Sequence, residues 1–197
     1  MHALQRSSGP SSGNARTNES DAYLVALAKQ DVRSFAPLYE RYRDDVLRYC
    51  VRSLGDREDA ADATQQTFTN ALAALDRFQD ADDSFRGWLF RIAHNEVIDR
   101  HRQRRRRSER PLTDVSWVLD TGRTPEELAI LADDRNQVSV LLLSLTPDQR
   151  RCCQLRFAGL TYGETAAILG KSEVAVRASF CRGLASLRTR MGDVESL

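Results

Sequence analysis

Residues 85–107 (FRGWLFRIAHNEVIDRHRQRRRR) constrain the fold most, because they join a helical apolar stripe to a run of arginines. In the first half, apolar side chains recur every three or four residues, which is the period of a helix packed on one face. Clustered guanidinium groups at the end of such a helix suit a phosphate backbone, because they neutralise its charge and release counterions. A solvated basic tail that closes a bundle helix is the alternative. The stripe is Phe85, Trp88, Leu89, Ile92, Ala93 and Val97, and the cations are Arg100, Arg102, Arg104, Arg105, Arg106, Arg107 and Arg110.

Helical periodicity also governs the rest of the chain, and no stretch shows useful strand-like alternation. The pattern predicts a short helix near Leu24, a longer one from Phe35 to Cys50, and a third over about 58–75. In the third helix Ala61, Phe68, Leu72 and Leu75 are predicted to face inward. Residues 78–84 are predicted to form a loop. The expected fold class is all-α, with two small helical domains joined by a linker.

The last sixty residues carry clear helix start signals. Thr146 and Thr161 each open a capping box, and Ser172 is placed to cap the final helix after a turn at Gly170. A short helix, a tight glycine turn and a longer helix predict a helix-turn-helix, whose second helix enters the major groove of DNA. Any helical hairpin of a bundle is the alternative. The predicted exposed face of the second helix is Lys171, Ser172, Glu173, Arg177, Ser179 and Arg182, with Val176, Phe180, Leu184 and Leu187 facing inward.

The charge alternates along the chain although the total is only +1. Residues 21–98 carry ten basic and fourteen acidic side chains, residues 99–110 carry seven and two, and residues 111–135 carry two and six. Such blocks predict acidic surfaces for a protein partner and basic surfaces for nucleic acid. The predicted organisation is a disordered tail (1–20), a first domain (21–107), a linker with the start of a helix from Thr124 (108–135), a second domain (136–191) and a short tail (192–197).

Composition argues against several classes of function. The four cysteines (Cys50, Cys152, Cys153 and Cys181) lack metal-ligand spacing and are predicted to be small core residues in a reducing compartment. The sequence contains no membrane-length apolar run, signal peptide, phosphate-cradling glycine loop or nucleophile–base set. We therefore expect a cytoplasmic, non-enzymatic protein without cofactor or metal and without membrane insertion.

Two of these segments resemble a known family. Residues 56–107 resemble region 2 of bacterial RNA polymerase sigma factors, through DREDAADATQQTFTNALAALDRF and the arginine-rich stretch that follows it. Residues 145–188 (LTPDQRRCCQLRFAGLTYGETAAILGKSEVAVRASFCRGLASLR) resemble their region 4. The order of the two segments and the missing middle region are typical of the two-domain, extracytoplasmic-function group.

The resemblance implies a factor that binds core RNA polymerase and directs initiation at promoters with minus-ten and minus-thirty-five elements. In the family, a helix of region 2 docks on the clamp of the largest subunit, and region 4 docks on the flap of the second-largest subunit. Many members are held inactive by an anti-sigma factor. The positions that match the clamp-binding helix are Asp59, Asp62, Gln65, Gln66 and Phe68. Those assigned to the minus-ten element are Phe78, Ser84, Arg91, Asn95, Arg102 and Arg105.

The exposed face of the last helix would contact the minus-thirty-five duplex. Arg177 is the main candidate for a base edge or phosphate, and Lys171 and Arg182 are candidates for the backbone. Trp88 is expected in the core and His94 on the surface. Three positions depart from the family: Gln66 and Ala61 stand where acidic residues are usual, and Ser179 stands where a basic residue is common. These departures bear on binding strength and promoter sequence.

Two other readings of the sequence stay open at this point. A stand-alone helix-turn-helix repressor or activator would bind duplex DNA tightly without a stable polymerase complex. A helical adaptor would use the basic stretch to contact RNA or an acidic protein.

Overall fold

The computed structural model describes residues 19–79, 84–107 and 142–194, and in these residues all regular structure is helical. The all-α prediction is therefore confirmed for this part of the chain. The helices are α1 (Asp21–Gln30), α2 (Ala36–Leu54), α3 (Arg57–Ala74), α4 (Phe85–Arg107), α5 (Pro147–Phe157), α6 (Tyr162–Leu169) and α7 (Glu173–Val194). Short 3-10 turns precede α2 (Val32–Phe35) and follow α3 (Leu75–Arg77).

Local sequence chemistry explains where these helices begin and end. The side chain of Asp56 accepts hydrogen bonds from the backbone N–H groups of Glu58 and Asp59, and so caps α3. Gly55 ends α2 at a φ of 70°, a left-handed conformation that glycine adopts without a side-chain penalty. Both predicted capping boxes are present, at Thr146 and at Thr161.

The N-terminal domain, residues 19–79 and 84–107, packs α1 to α4 around an aromatic centre. Phe85 is 1% exposed and lies against the rings of Phe35, Tyr42, Phe78 and Trp88, with centroid distances of 5.6–6.5 Å. Such tilted and edge-on contacts are favourable beyond the apolar area that they bury. The aromatic centre brings the start of α4 against α2 and the end of α3.

The C-terminal domain, residues 142–194, packs α5 and α6 against α7. Its own clusters contain few large side chains, and Leu145, Cys153 and Leu187 form one of them while Cys152, Ala166 and Val176 form the other. Three further residues of this domain, Leu155, Ala158 and Leu160, belong to the apolar core of the N-terminal domain instead. The two domains are therefore in direct contact.

Two predictions about buried faces are wrong. Of the four residues predicted to face inward, Ala61 and Leu72 are exposed, whereas Phe68 and, just after α3, Leu75 are buried as predicted. The other buried positions of α3 are Ala60, Ala63, Thr64, Thr67 and Ala71. The many small residues of α3 leave its apolar phase ambiguous from sequence alone. Cys181 is exposed, whereas the other three cysteines are buried.

Several predictions lie outside the described residues. These are the tail before residue 19, most of the loop after Gln79, the linker and the helix expected from Thr124. Among the described helices, none combines the length and apolar character that crossing a membrane requires.

Candidate polymerase and nucleic-acid interfaces

The outward face of α3 presents an acid and three amides. Asp62, Gln65, Gln66 and Asn70 are exposed, and the Gln66 amide donates a 2.9 Å hydrogen bond to Asn70. The fifth predicted clamp residue, Phe68, is buried at 5% exposure against Phe35 and Tyr39. Its side chain therefore fixes the helix from within and is not part of the outer surface.

Asp59, at the start of the same face, is engaged by α4. Its carboxylate accepts a hydrogen bond from Arg104, and Arg100 Nη1 lies 3.7 Å from it and 4.0 Å from the carboxylate of Asp62. Arg104 also donates to the carbonyl oxygen of Leu54 at 3.0 Å, at the end of α2. Arg100 and Arg104 thus join three helices of the N-terminal domain. The sequence analysis grouped both with the phosphate-binding cations. Their spacing from Ala93 and Val97, however, places them on the same side of α4 as these two buried residues.

The residues predicted for the minus-ten element are divided by the structure. Asn95 and Arg102 are exposed, while Arg91 and Arg105 are half-buried. Arg102 lies 2.9 Å from Asp99, one turn earlier on the helix surface. These four side chains remain candidates for contact with DNA.

Phe78 and Ser84 have different structural roles from those predicted. Phe78 is 3% exposed, with its ring centroid 5.0 Å from that of Trp88, so its buried position argues against the predicted contact with the minus-ten element. Trp88 is partly buried in this cluster, which agrees with its predicted core position. Ser84 is exposed and caps α4, because its Oγ accepts a 3.0 Å hydrogen bond from Gly87 N–H. The same hydroxyl donates to Glu164 of the C-terminal domain.

A cavity of about 230 Å³ opens between the arginine-rich end of α4 and the first turns of α5. It is lined by Ile98, His101, Arg102, Arg105 and Arg151, so cations from both domains surround it. His101 bonds the carbonyl oxygen of Ser53 at 3.2 Å. Burial, together with the charge of Arg104, lowers the pKa of His101. The imidazole is therefore held neutral, and the guanidinium groups supply the charge of this surface.

His94 is buried, contrary to its predicted surface position. It is 5% exposed, and its Nδ1 lies 2.8 Å from the hydroxyl of Tyr49. Burial and the nearby charge of Arg151 lower the pKa of His94 to about 4. In the sequence, His94 stands next to the apolar stripe of α4. Its buried partner Tyr49 belongs to α2, and the spacing of residues within one helix cannot reveal a partner on another helix.

In the C-terminal domain, α6, the turn and α7 have helix-turn-helix geometry. Glu164 N–H donates 3.1 Å to Thr161 Oγ1, and a Glu164 carboxylate oxygen accepts 2.6 Å from Thr161 N–H. Gly170 turns the chain at a φ of 62°, and Ser172 caps α7 through the N–H of Ala175 at 3.2 Å. The predicted caps and turn are confirmed.

The outward side of α7 carries most of the predicted minus-thirty-five residues. Ser172, Glu173, Arg177 and Arg182 are exposed. The guanidinium of Arg177 lies 4.6 Å from the centre of the Tyr162 ring, a cation–π contact that holds it beside the turn. Lys171 is half-buried, with its ammonium 2.5 Å from Asp148.

The recognition face requires one correction and one addition. Ser179 is only 7% exposed and points inward, so its predicted place on the DNA face is wrong. Val174 is 78% exposed near the helix start, where apolar contacts to thymine methyl groups are made in other helix-turn-helix proteins. The sequence interpretation had omitted it because it considered only polar side chains. Val174 follows the Ser172 cap by two residues, and this position in the first turn of α7 could have placed it on the recognition face from the sequence.

The side chains on the outer faces of α3, α4 and α7 suit binding rather than catalysis. In the part of the chain that the structure describes, no three histidine, cysteine or carboxylate side chains are grouped so as to hold a metal ion. Burial raises the pKa of Cys153 to about 12 and that of Cys50 to about 11, so both thiols are protonated at neutral pH. The arginines and amides described above instead suit phosphates, base edges and charged protein surfaces.

Comparison with known proteins assigns both domains. The Sigma-70 region 2 family model matches residues 38–107, and the Sigma-70, region 4 model matches residues 135–187. The ECF RNA polymerase sigma factor SigD of Mycobacterium tuberculosis is 33% identical over 175 residues, covering 85% of this chain and 82% of SigD. BldN of Streptomyces coelicolor, also an ECF sigma factor, is 31% identical over 161 residues; these cover 81% of this chain and 61% of BldN.

Solved structures show the same fold. CnrH, solved in complex with the cytosolic domain of CnrY, superposes with a TM-score of 0.67 at 29% identity, covering 89% of this chain and 99% of CnrH. RpoE of Bartonella quintana has a TM-score of 0.64 at 21% identity, covering 81% of this chain and 98% of RpoE, and supports the fold alone. With both sigma regions matched in order and SigD similar over most of its length, the chain belongs to the ECF group of RNA polymerase sigma factors, which are transcription initiation factors and not enzymes.

Proposed function

We propose that this protein binds core RNA polymerase through its N-terminal domain and directs initiation at promoters with minus-ten and minus-thirty-five elements. The observation that carries the proposal is the pairing, in one chain, of an exposed acid-and-amide face on α3 with a capped helix-turn-helix that presents arginines. A protein that only bound duplex DNA would need the second surface alone. The two surfaces together fit a factor that connects a polymerase to a promoter.

The polymerase contact is assigned to Asp62, Gln65 and Gln66 on α3. These side chains are exposed and extend from one helix face, so they can meet a basic partner without rearrangement of the core. Exposed charge at such an interface mainly steers association and register. Asp59 contributes less, because Arg104 and Arg100 already neutralise it. By resemblance to the family, the partner is the clamp of the largest subunit, and the C-terminal domain docks on the flap of the second-largest subunit.

The promoter contacts are divided between the domains. For the minus-ten element we propose Arg91, Asn95, Arg102 and Arg105, with the arginines on phosphates. For the minus-thirty-five element we propose Arg177 and Arg182, with Ser172, Glu173 and Val174 at the helix start that enters the groove. Lys171 has a lesser role there because Asp148 holds it.

We propose domain boundaries near residues 21–107 and 136–191, with the intervening chain acting as a tether. Two weak sites joined in this way gain affinity through effective concentration once both engage one polymerase. The protein would act in the cytoplasm, beside the polymerase and the DNA. An anti-sigma factor is proposed as its regulator, supported by the family resemblance and by the binding of CnrH to the cytosolic domain of CnrY.

Run-off transcription with purified core polymerase and a promoter library tests the proposal. The wild-type protein should yield transcripts from a defined set of promoters, and core polymerase alone should not. Tight binding to duplex DNA with no polymerase complex would contradict the proposal and favour a stand-alone regulator.

Asp62→Ala tests the clamp surface. We expect it to weaken binding to core polymerase about two- to fivefold, the effect of one charge at the rim of an interface. Glu40→Ala, which removes an exposed acid from α2, is the matched control and should leave the dissociation constant unchanged. Equal dissociation constants for wild type and Asp62→Ala would place the polymerase surface elsewhere.

A further inference from the structure

Val174 is the most exposed large apolar side chain in the residues that the structure describes. It is 78% exposed and lies in the first turn of α7, two residues after the Ser172 cap. Valine is a poorer helix former than alanine, so helix stability gives no reason for it at this position. The core gives none either, because the buried residue of this turn is Val176. A single exposed apolar residue is ordinary on a protein surface, so the place of Val174 on the recognition face carries the argument.

Val174 shares one face of α7 with the arginine proposed for the minus-thirty-five duplex. Arg177 follows Val174 by three residues and Cys181 follows Arg177 by four, so these exposed side chains form one line along the helix. Three residues of an α-helix rise about 4.5 Å, and neighbouring base pairs are about 3.4 Å apart. With α7 in the major groove, Val174 and Arg177 can therefore reach neighbouring base pairs.

Two charged side chains beside Val174 are turned towards other parts of the C-terminal domain. A methyl group built at Gly163 would lie 3.0 Å from a carboxylate oxygen of Glu173, so this carboxylate lies over the first turn of α6. A negative charge is favoured there, at the N-terminus of a helix. The ammonium of Lys171 lies 2.5 Å from Asp148. Val174 therefore leads this end of the face towards the groove.

The chemistry of the Val174 side chain selects a methyl group as its contact. In the major groove the bases present hydrogen-bond donors and acceptors, and thymine adds the apolar C5 methyl group. Two valine methyl groups can exclude water from that methyl, whereas they would bury an amino or carbonyl group without a hydrogen bond. A valine in a helix has one strongly preferred χ1 rotamer, so the contact orders little that is not already fixed.

We propose that Val174 is a specificity-determining residue that reads the C5 methyl group of a thymine in the minus-thirty-five element, beside the position of Arg177. The inference rests on the proposed function and assigns a base to it. Burial of one methyl group should strengthen promoter binding about fourfold. The same methyl group occurs on 5-methylcytosine, so that base forms a separate arm of the experiment.

Replacement of thymine by deoxyuridine tests the contact, because it removes only the C5 methyl group and keeps the hydrogen bonds of the base. The full chain, assembled with core polymerase, is bound to a promoter taken from the run-off library. Each thymine of the minus-thirty-five element is replaced in turn, and dissociation constants are measured for the wild type and for Val174→Ala. Val32→Ala, which removes a valine that is 58% exposed in the N-terminal domain, is the matched control.

At one thymine, deoxyuridine should weaken binding of the wild type and of Val32→Ala about fourfold. Val174→Ala should bind both templates equally, as weakly as the wild type binds deoxyuridine, and alanine keeps α7 folded. The proposal is overturned if wild type and Val174→Ala respond alike at every thymine, or if the element requires no A·T pair. Tighter binding of 5-methylcytosine than of thymine at the same position would overturn thymine as the base.

Val174→Glu provides a second test by exchange of specificity. A carboxylate can accept a hydrogen bond from N4 of cytosine, and an acidic residue suits the first turn of a helix, so α7 should stay folded. The preference at the identified position should change from thymine to cytosine, by at least about fivefold in the ratio of dissociation constants. An unchanged thymine preference would count against Val174 as the reading residue. If no promoter is transcribed at all, the proposed function fails; if transcripts form but the methyl group has no effect, only the role of Val174 fails.

Discussion

The N-terminal domain buries a cluster of large aromatic rings, whereas the C-terminal domain buries small residues, thiols and several polar groups. Buried polar residues of the second domain include Arg150, Gln154, Thr165 and Ser179. Three of its apolar residues, Leu155, Ala158 and Leu160, belong to the core of the neighbouring domain. The comparison teaches that the first domain is stabilised by its own core, while the second depends on caps, internal hydrogen bonds and its neighbour.

The largest effect is expected for Phe85→Ala. Removing this ring from the aromatic centre should reduce the free energy of unfolding of the N-terminal domain by about 4 kcal/mol, through lost burial and the cavity left behind. Urea unfolding followed by hydrogen exchange in each domain measures it. Tyr23→Ala, at a half-exposed position, should cost less than about 1 kcal/mol. If the two variants lost similar amounts of unfolding free energy, the aromatic centre would not be what stabilises the N-terminal domain.

The pH dependence of stability should reflect His94. Because its pKa falls from 6.5 to about 4 on folding, the unfolded chain binds the proton more tightly. Stability from this group is complete above pH 6.5 and is lost as the pH falls from 6.5 towards 4, by up to about 3 kcal/mol. Urea unfolding between pH 7.5 and pH 4 measures the loss. His94→Gln should flatten the curve in that window, and an unchanged slope would contradict the buried neutral imidazole.

Arg150→Met tests the polar support of the C-terminal domain. The Arg150 guanidinium donates to the carbonyl oxygens of Leu142, Leu143 and Leu145 at 2.7, 2.5 and 3.2 Å, and burial lowers its pKa to about 10. Methionine fills the space but removes the guanidinium donor from all three carbonyls, of which Leu142 O still accepts from Leu145 N–H at 3.1 Å. We expect a loss of about 2–3 kcal/mol, measured by hydrogen exchange in residues 142–194.

Arg188→Met, at an exposed position of α7, is the matched control for Arg150→Met and should change stability by less than about 0.5 kcal/mol. If the two variants had equal stability, the polar network would contribute little and the domain would rest on packing alone.

Arg177→Ala should separate binding from stability in the C-terminal domain. Loss of a base or phosphate contact should weaken binding to a minus-thirty-five duplex by about 2 kcal/mol. Loss of the contact with Tyr162 should cost the fold only about 0.5–1 kcal/mol. Binding titrations and thermal melts measure the two effects, with Arg190→Ala near the end of α7 as control. An unchanged sequence preference would count against the placement of this helix on DNA.

Some features followed from local sequence chemistry. Helix periodicity and the capping residues Thr146, Thr161 and Ser172 predicted the helices and their starts, because a cap depends on atoms only three residues away. The side chains on the recognition face followed from the same helix, apart from Ser179 and Val174. Errors arose where neighbouring positions were similar in character, as in α3, whose small residues do not define a single apolar side.

The sequence alone determined the order of the segments and their helical pattern, and it carried the family resemblance. These features depend on residues that are close together along the chain. The tertiary structure decided which charges meet each other. It placed Arg100 and Arg104 against α3, His94 beneath Tyr49, and Ser84 against Glu164. Such pairs join residues tens of positions apart, and only packing of whole helices determines which of them face inward.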